Sequence, residues 1–149
     1  MKIVKAEVKD EKLLNEMFTC LYNYECKYDK NSKSGLEFKS YFTEYKITSP
    51  DYLILIAYIA DKPVGYIHGF NNLNNTFYDS CYYINTLYVY DEYRNQGIAT
   101  KLIETFMDEA KSNGAKYISI TNYAENIEAK NLYKKFGFEL LKEDRRKEL

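Results

Sequence analysis

A chain of 149 residues with 46% hydrophobic and 29% charged side chains is sized for one soluble domain over residues 1–149, large enough to hold a core without a staple. A net charge of −1 supplies no basic field for nucleic acid or an anionic membrane, and the longest apolar run, within Tyr52–Ala60, falls short of the ~20 residues of a membrane-spanning helix. Cys20, Cys26 and Cys81 form no CxxC motif and His68 is the single histidine, so no metal site, redox motif or disulfide framework is expected, and a reducing, cytoplasmic compartment fits. The early charges of Met1–Glu7 argue against a signal peptide.

Strand and helix patterns alternate along the chain. Ile3–Ala6 is a short strand, and Asp10 is placed to cap a helix carrying Leu13, Leu14, Met17, Phe18 and Leu21 on one face. Polar Tyr22–Ser34 reads as a loop. Ser34-Gly35-Leu36-Glu37 has capping-box spacing, and Phe38, Tyr41, Phe42 and Tyr45 follow at helical intervals, which predicts a second helix ending at Ser49-Pro50. Tyr52–Ala60, Val64–Phe70 and Cys81–Val89 are strands of an antiparallel meander, separated by turns at Asp61-Lys62-Pro63 and Asn71–Asn75. Gly97–Asn113 carries Ile98, Leu102, Ile103, Phe106 and Ala110 on one helical face, and Asn113-Gly114 stops it. Tyr117–Thr121 is a strand, Ile127–Phe136 a helix ended by Gly137, and Phe138–Leu141 a last strand. The order β-α-α-β-β-β-α-β-α-β predicts an α/β (α+β) fold with a mixed, mostly antiparallel sheet and helices on both faces.

Chemistry concentrates in two stretches. In Leu87-Tyr88-Val89-Tyr90-Asp91-Glu92-Tyr93-Arg94-Asn95-Gln96-Gly97-Ile98-Ala99-Thr100 a strand ends and a helix opens on small residues. Unpaired N–H groups at such a helix start attract an anion, with Arg94 adding charge, whereas the spacing matches neither a Walker A loop nor GxGxxG. An ordinary strand-to-helix turn has the same local form. Downstream, Asn126, Ala129, Leu132, Tyr133, Gly137 and Phe138 form the pattern N-x-x-A-x-x-L-Y-x-x-x-G-F. Asn126 can cap a helix or bond a ligand amide, and Tyr133 can donate a proton from the face that meets the sheet.

Together these stretches resemble the GNAT superfamily of acyl-CoA-dependent N-acetyltransferases, whose [RQ]-x-x-G-x-[GA] signature is matched by Arg94, Gly97 and Ala99 and whose N-x-x-A-x-x-L-Y-x-x-x-G-F helix is matched by Asn126 through Phe138. The resemblance implies acetyl-CoA as cosubstrate. Backbone groups of Leu87, Tyr88 and Val89 would hold the pantetheine arm, the N–H groups of Gln96, Gly97, Ile98, Ala99 and Thr100 the pyrophosphate, with Arg94 and Asn95 also on the cofactor, and Asn126 the arm. It also implies direct attack by an amine, with Tyr133 as general acid and a strand N–H, that of Leu87 or Tyr88, facing the thioester oxygen.

Many relatives carry a carboxylate on the strand before the loop, but Cys81-Tyr82-Tyr83-Ile84-Asn85-Thr86-Leu87 has none. The proton acceptor is left open among a water held by Asn85 or Tyr83, a carboxylate of the Glu25–Glu44 segment, and His68. Residues 1–93 carry 10 Lys/Arg and 13 Asp/Glu, and residues 94–149 carry 11 and 9, a split that suits a cationic amine beside an anionic cosubstrate, although scattered surface charge gives the same numbers. Tyr22, Tyr24, Tyr28, Tyr41 and Tyr45 either line an amine pocket or simply pack. The acceptor is expected to be a small-molecule or peptide amine, with no nucleic acid or membrane partner and a homodimer as the family's option. A non-catalytic acyl-CoA-binding or regulatory module of the same fold is the alternative.

Overall fold

The computed structural model describes residues 1–72 and 80–149, so part of the turn expected at Asn71–Asn75 lies outside the described residues. One sheet runs β1 (Lys2–Lys5), β2 (Tyr52–Ile59), β3 (Lys62–Asn71), β4 (Cys81–Val89) and β5 (Tyr117–Ile120), in that spatial order. The first four strands are antiparallel. β5 is parallel to β4 because the chain crosses over through a helix, α3 (Ile98–Ser112), before returning to the sheet. The apolar run of β2 divides by parity: Leu53, Leu55 and Ala57 belong to one core, Ile54 and Ile56 to the other. A strand buried on both faces reads as continuously hydrophobic for this reason.

The first core is built on α3, which buries the expected Ile98, Leu102, Ile103, Phe106 and Ala110. The second is built on α1 (Glu11–Glu25), whose Leu14, Met17 and Leu21 meet Ile54, Ile56, Tyr66 and Tyr88 together with Phe42. The β3–β4 ladder slips between His68 and Gly69, pairing Thr86 and Ile84 on the other side and leaving Asn85 as the extra residue of a β-bulge. Gly69 is required there, since a Cβ would stand 2.5 Å from the Phe106 ring and 2.4 Å from the Tyr83 carbonyl oxygen.

Four local expectations are corrected. Asp10 does not cap α1; its carboxylate accepts from the Glu7 N–H (2.8 Å) in the capping box of the preceding 3-10 turn, Val8–Asp10. α1 runs to Glu25 and continues as a 3-10 turn, Cys26–Tyr28, so the loop begins later than Tyr22. The helix expected after Ser34 shrinks to α2 (Glu44–Thr48), capped by Thr43, whose hydroxyl accepts from the Lys46 N–H. Residues 35–42 instead form an irregular strap held by a ladder of α1 side chains. Asn15 bonds both the N–H (2.8 Å) and the C=O (2.9 Å) of Phe42, Thr19 those of Phe38, and Asn23 bonds the Gly35 N–H and the Leu36 C=O. These bonds claim backbone groups that a helix would have used internally.

The last strand, Phe138–Leu141, is not formed. α4 (Ile127–Lys135) closes in a Schellman motif at Gly137, φ +82°, with the Gly137 N–H on the Lys134 C=O (3.0 Å) and the Phe138 N–H on the Tyr133 C=O (3.1 Å). Phe138 is thereby committed to the helix end, and Leu140 and Leu141, 83% and 73% exposed, have no apolar face to alternate against.

Candidate active site

The sheet opens between β4 and β5. Pairing ends at Ile84 and Ile120, where the Tyr83 hydroxyl bonds the Thr121 hydroxyl, and from Asn85 onward that edge of β4 has no strand beside it among the described residues. The Tyr90 N–H donates to the Val64 C=O (3.0 Å), so the antiparallel alternation turns Thr86 and Tyr88 toward β3 and Leu87 and Val89 outward into the opening. The N–H of Leu87 points into the opening, and that of Tyr88 is turned to the β3 ladder.

At the end of β4 the chain makes a 3-10 turn, Asp91–Tyr93, then passes Asn95 (φ +60°) and Gly97 (φ +79°) into α3. Left-handed residues interleaved with ordinary ones turn successive N–H groups to one side. The N–H groups of Asn95, Gln96, Gly97, Ile98, Ala99 and Thr100 have no partner among the described residues; the first bond of the helix is Lys101 N–H to Gly97 C=O (3.0 Å). A Cβ on Gly97 would meet nothing within 4 Å, so glycine serves the backbone angle and not packing. The row of donors, the helix dipole and the open approach fit a diphosphate. Arg94 spends its guanidinium on the loop itself: Nε donates to the Val89 C=O (3.0 Å), Nη1 pairs with Asp91 (2.8 Å), and the plane lies 4.2 Å from the Tyr24 ring centre.

α4 supplies the expected phenol. Asn126 caps it, Oδ1 accepting from the Ala129 N–H (3.1 Å), which leaves the side-chain amide NH2 without a partner among the described residues. Leu132, Tyr133 and Phe136 pack against the α3 core, and the Schellman contact sets the Phe138 ring against Tyr133 at 5.9 Å. The Tyr133 hydroxyl has no hydrogen-bond partner among the described residues. Burial first, and the negative charge of Glu25 second, push its pKa up to about 12, so the group is held as a proton donor.

The opposite bank is made of side chains. Asn85, turned toward α1 by the bulge, donates to the Tyr41 hydroxyl, and the Tyr41 ring stacks on Phe18 at 3.6 Å. His68 is 1% exposed, with Nδ1 3.4 Å from the Thr86 hydroxyl and Nε2 unpartnered. Burial, with the Lys46 charge behind it, pushes its pKa down to about 3, so it is a neutral imidazole and a poor proton acceptor. The other expected tyrosines scatter. Tyr22 packs on Phe38, Tyr24 under Arg94, Tyr28 on Tyr123, and Tyr45 is 66% exposed. Glu25, at the end of α1, is half-buried with its carboxylate in no hydrogen bond or ion pair among the described residues, and desolvation raises its pKa. Only its segment was singled out by sequence. The sharper signal was its position four residues after Leu21, on the inward stripe of α1.

Among the described residues no group of three or more His, Cys, Asp or Glu could hold a metal ion, and no helix is long and apolar enough to cross a membrane. Residues 13–138 match the acetyltransferase (GNAT) family. N-alpha-acetyltransferase 30 of Schizosaccharomyces pombe is 41% identical over 56 residues, 38% of this chain and 37% of that protein, so the chain matches little more than a third of that relative's length. An uncharacterized N-acetyltransferase, YhfO of Bacillus subtilis, is 26% identical over 106 residues, 71% of each chain. The crystal structure of a mutant of the BH1408 protein from Bacillus halodurans superposes with a TM-score of 0.85 over 100% of this chain and 99% of that one, at 21% identity, which is a likeness of fold.

Proposed function

This chain belongs to the acetyltransferase (GNAT) family, and we propose that it moves an acetyl group from acetyl-CoA to a primary amine by direct attack, with Tyr133 as general acid. The observation that carries this reading is two sets of backbone groups without a partner among the described residues, those of Leu87 and the Val89 N–H on the open edge of β4 and the N–H groups of Asn95 through Thr100 at the start of α3. These groups fit the two chemistries of a CoA ester, an amide-bearing arm and a diphosphate.

The N–H groups of Asn95 through Thr100 bind the diphosphate, and Arg94 keeps their loop in shape. The outward groups of Leu87 and the N–H of Val89 pair with the arm as a strand edge pairs with a peptide, and the free amide NH2 of Asn126 reaches it from the other side. When bound, acetyl-CoA supplies the thioester carbon that the amine attacks. The Leu87 N–H donates to the oxygen on which negative charge develops, an interaction of the kind worth about 10²–10³ in rate. Tyr133 gives its proton to the departing sulfur. A phenol whose pKa stands at about 12 remains protonated at neutral pH until that base appears beside it.

Calorimetric titration with acetyl-CoA, and separately with CoA, tests the cosubstrate. Release of free thiol with a panel of amines then tests turnover. The panel should hold spermidine, kanamycin and a short peptide with a free N-terminus, because the fold's neighbours include an aminoglycoside acetyltransferase and the curated relatives an N-alpha-acetyltransferase. Micromolar binding of both ligands is expected. Absence of binding to the folded protein overturns the reading.

A further inference from the structure

We propose that Glu25 is the catalytic carboxylate of the acceptor side, binding the ammonium group of the incoming amine and taking its proton, an inference that rests on the acetyl-transfer reading above. The substrate class it selects is a cationic primary amine that presents its charged nitrogen to the opening between β4 and β5.

Position is the first support. Leu14, Met17, Phe18 and Leu21 form the stripe of α1 that faces the sheet, and the next member of that stripe is Glu25. The last turn of a core-facing helix thus carries a carboxylate where the pattern calls for an apolar side chain. Its charge is felt by tyrosines on three separate elements: Tyr66 on β3, Tyr123 after β5 and Tyr133 on α4. Tyr133 packs with the α3 core while α1 lies on the other face of the sheet, and the gap below Ile84 and Ile120 is where the two faces meet. The end of α1 reaches both sides of that gap, since Tyr24 lies under Arg94, after β4, and Tyr28 stacks on Tyr123, after β5, and Glu25 falls between these two tyrosines in the chain.

Elimination is the second support. β4 offers no carboxylate before the loop, and His68 is buried and neutral. Of the four carboxylates between residues 25 and 44, Asp29 is held by Arg146 (2.8 Å), and Glu37 and Glu44 are exposed. Glu25 alone turns inward.

The third support is the missing partner. The groups whose electrostatics register Glu25 are the phenols of Tyr66, Tyr123 and Tyr133, and among the described residues no lysine, arginine or backbone donor bonds its carboxylate; Lys27, two residues on, lies over the Tyr24 ring instead. A half-buried carboxylate without a cation raises the free energy of the folded chain, and an ammonium ligand flanked by aromatic faces removes that cost. Proton bookkeeping closes. One ammonium proton passes to Glu25 and on to water. The second leaves the nitrogen as the C–N bond forms and the C–S bond breaks, and it restores the Tyr133 phenol after that phenol has protonated the sulfur.

The test compares wild type, Glu25→Gln and Glu25→Asp with the fastest amine of the panel. Glu25→Gln is expected to lower kcat/KM for the amine about 10²-fold while the calorimetric Kd for acetyl-CoA stays within about twofold. The wild-type acid limb of kcat/KM against pH disappears in the Gln variant and returns, with part of the activity, in Glu25→Asp. Stability is the independent readout. Because burial raises the folded pKa, ionised Glu25 opposes folding as pH rises through it, so Glu25→Gln melts no lower than wild type at neutral pH. Unchanged kcat/KM and an unchanged acid limb in Glu25→Gln overturn the inference, as does a variant that loses activity only because it melts early. If wild type binds acetyl-CoA but acetylates none of the cationic amines, the inference falls and the cosubstrate reading stands. If wild type binds neither ligand, both fall.

Discussion

The two banks of the opening are built from different materials. The bank at the end of β4 is backbone: outward groups of Leu87 and Val89, then the free N–H groups of Asn95 through Thr100, all within one short run of chain. The bank under α1 is side chain: Asn15, Thr19 and Asn23 holding a strap, Tyr41 meeting Asn85, and Glu25 turned inward from residues far apart in sequence. A site made of backbone donors is specified by a few local conformations. A site made of side chains is specified only once the tertiary fold has brought its members together.

The sharpest way to break this contrast is at Tyr133 on α4, which belongs to neither bank. Tyr133→Phe should lower kcat about 10²–10³-fold with acetyl-CoA affinity unchanged, because the ring that packs against Phe138 is kept and only the proton is lost. Thiol-release kinetics with calorimetry separate the two quantities, and equal turnover by the variant removes Tyr133 from the chemistry. Next in size is an acid effect on the side-chain bank. Burial holds the His68 pKa at about 3, well below the ordinary imidazole value of about 6.5, so the stability of its neutral form is fully present above about pH 6.5 and is lost as pH falls toward 3. A melting temperature that drops across that window, with imidazole resonances that do not titrate between about pH 5 and 8, is the expected pair of results. Resonances titrating near 6.5 would return His68 to the list of bases.

The contrast also accounts for what sequence could deliver. The α3 stripe and the Gly97 turn were legible because helix period and helix-start chemistry act within a few residues. The strap was not, since Phe38, Tyr41 and Phe42 have helical spacing and only the distant α1 ladder overrides it. Phe138 misled for the opposite reason: an apolar residue after a glycine looks like a strand start, yet a purely local Schellman motif uses it. On the backbone bank, Gly97→Ala should cost about 1–2 kcal/mol, since φ +79° taxes any Cβ even where the space around it is open. CoA affinity should fall with it as the loop relaxes, and a calorimetric Kd equal to wild type would show that the donors tolerate another backbone path.

The smallest effects grade the side-chain bank from within. The three ladder residues recur every four positions along α1, and their burial falls from Asn15, 4% exposed, through Thr19 to Asn23, whose bonds to the strap lie at the surface. Asn15→Ala strands a buried N–H and a buried C=O of Phe42 and should cost about 3 kcal/mol. Thr19→Val keeps its shape but deprives a part-buried Phe38 of two bonds, about 1 kcal/mol, and Asn23→Ala exposes Gly35 and Leu36 to water that can replace it, under about 1 kcal/mol. Amide exchange should follow the same gradient, slowest at Phe42, faster at Phe38 and fastest at Gly35. Equal exchange at the three would mean that the strap closes as one unit on its aromatic contacts, Phe18 against Phe38, Tyr41 and Phe42, and that the ladder merely sets its register.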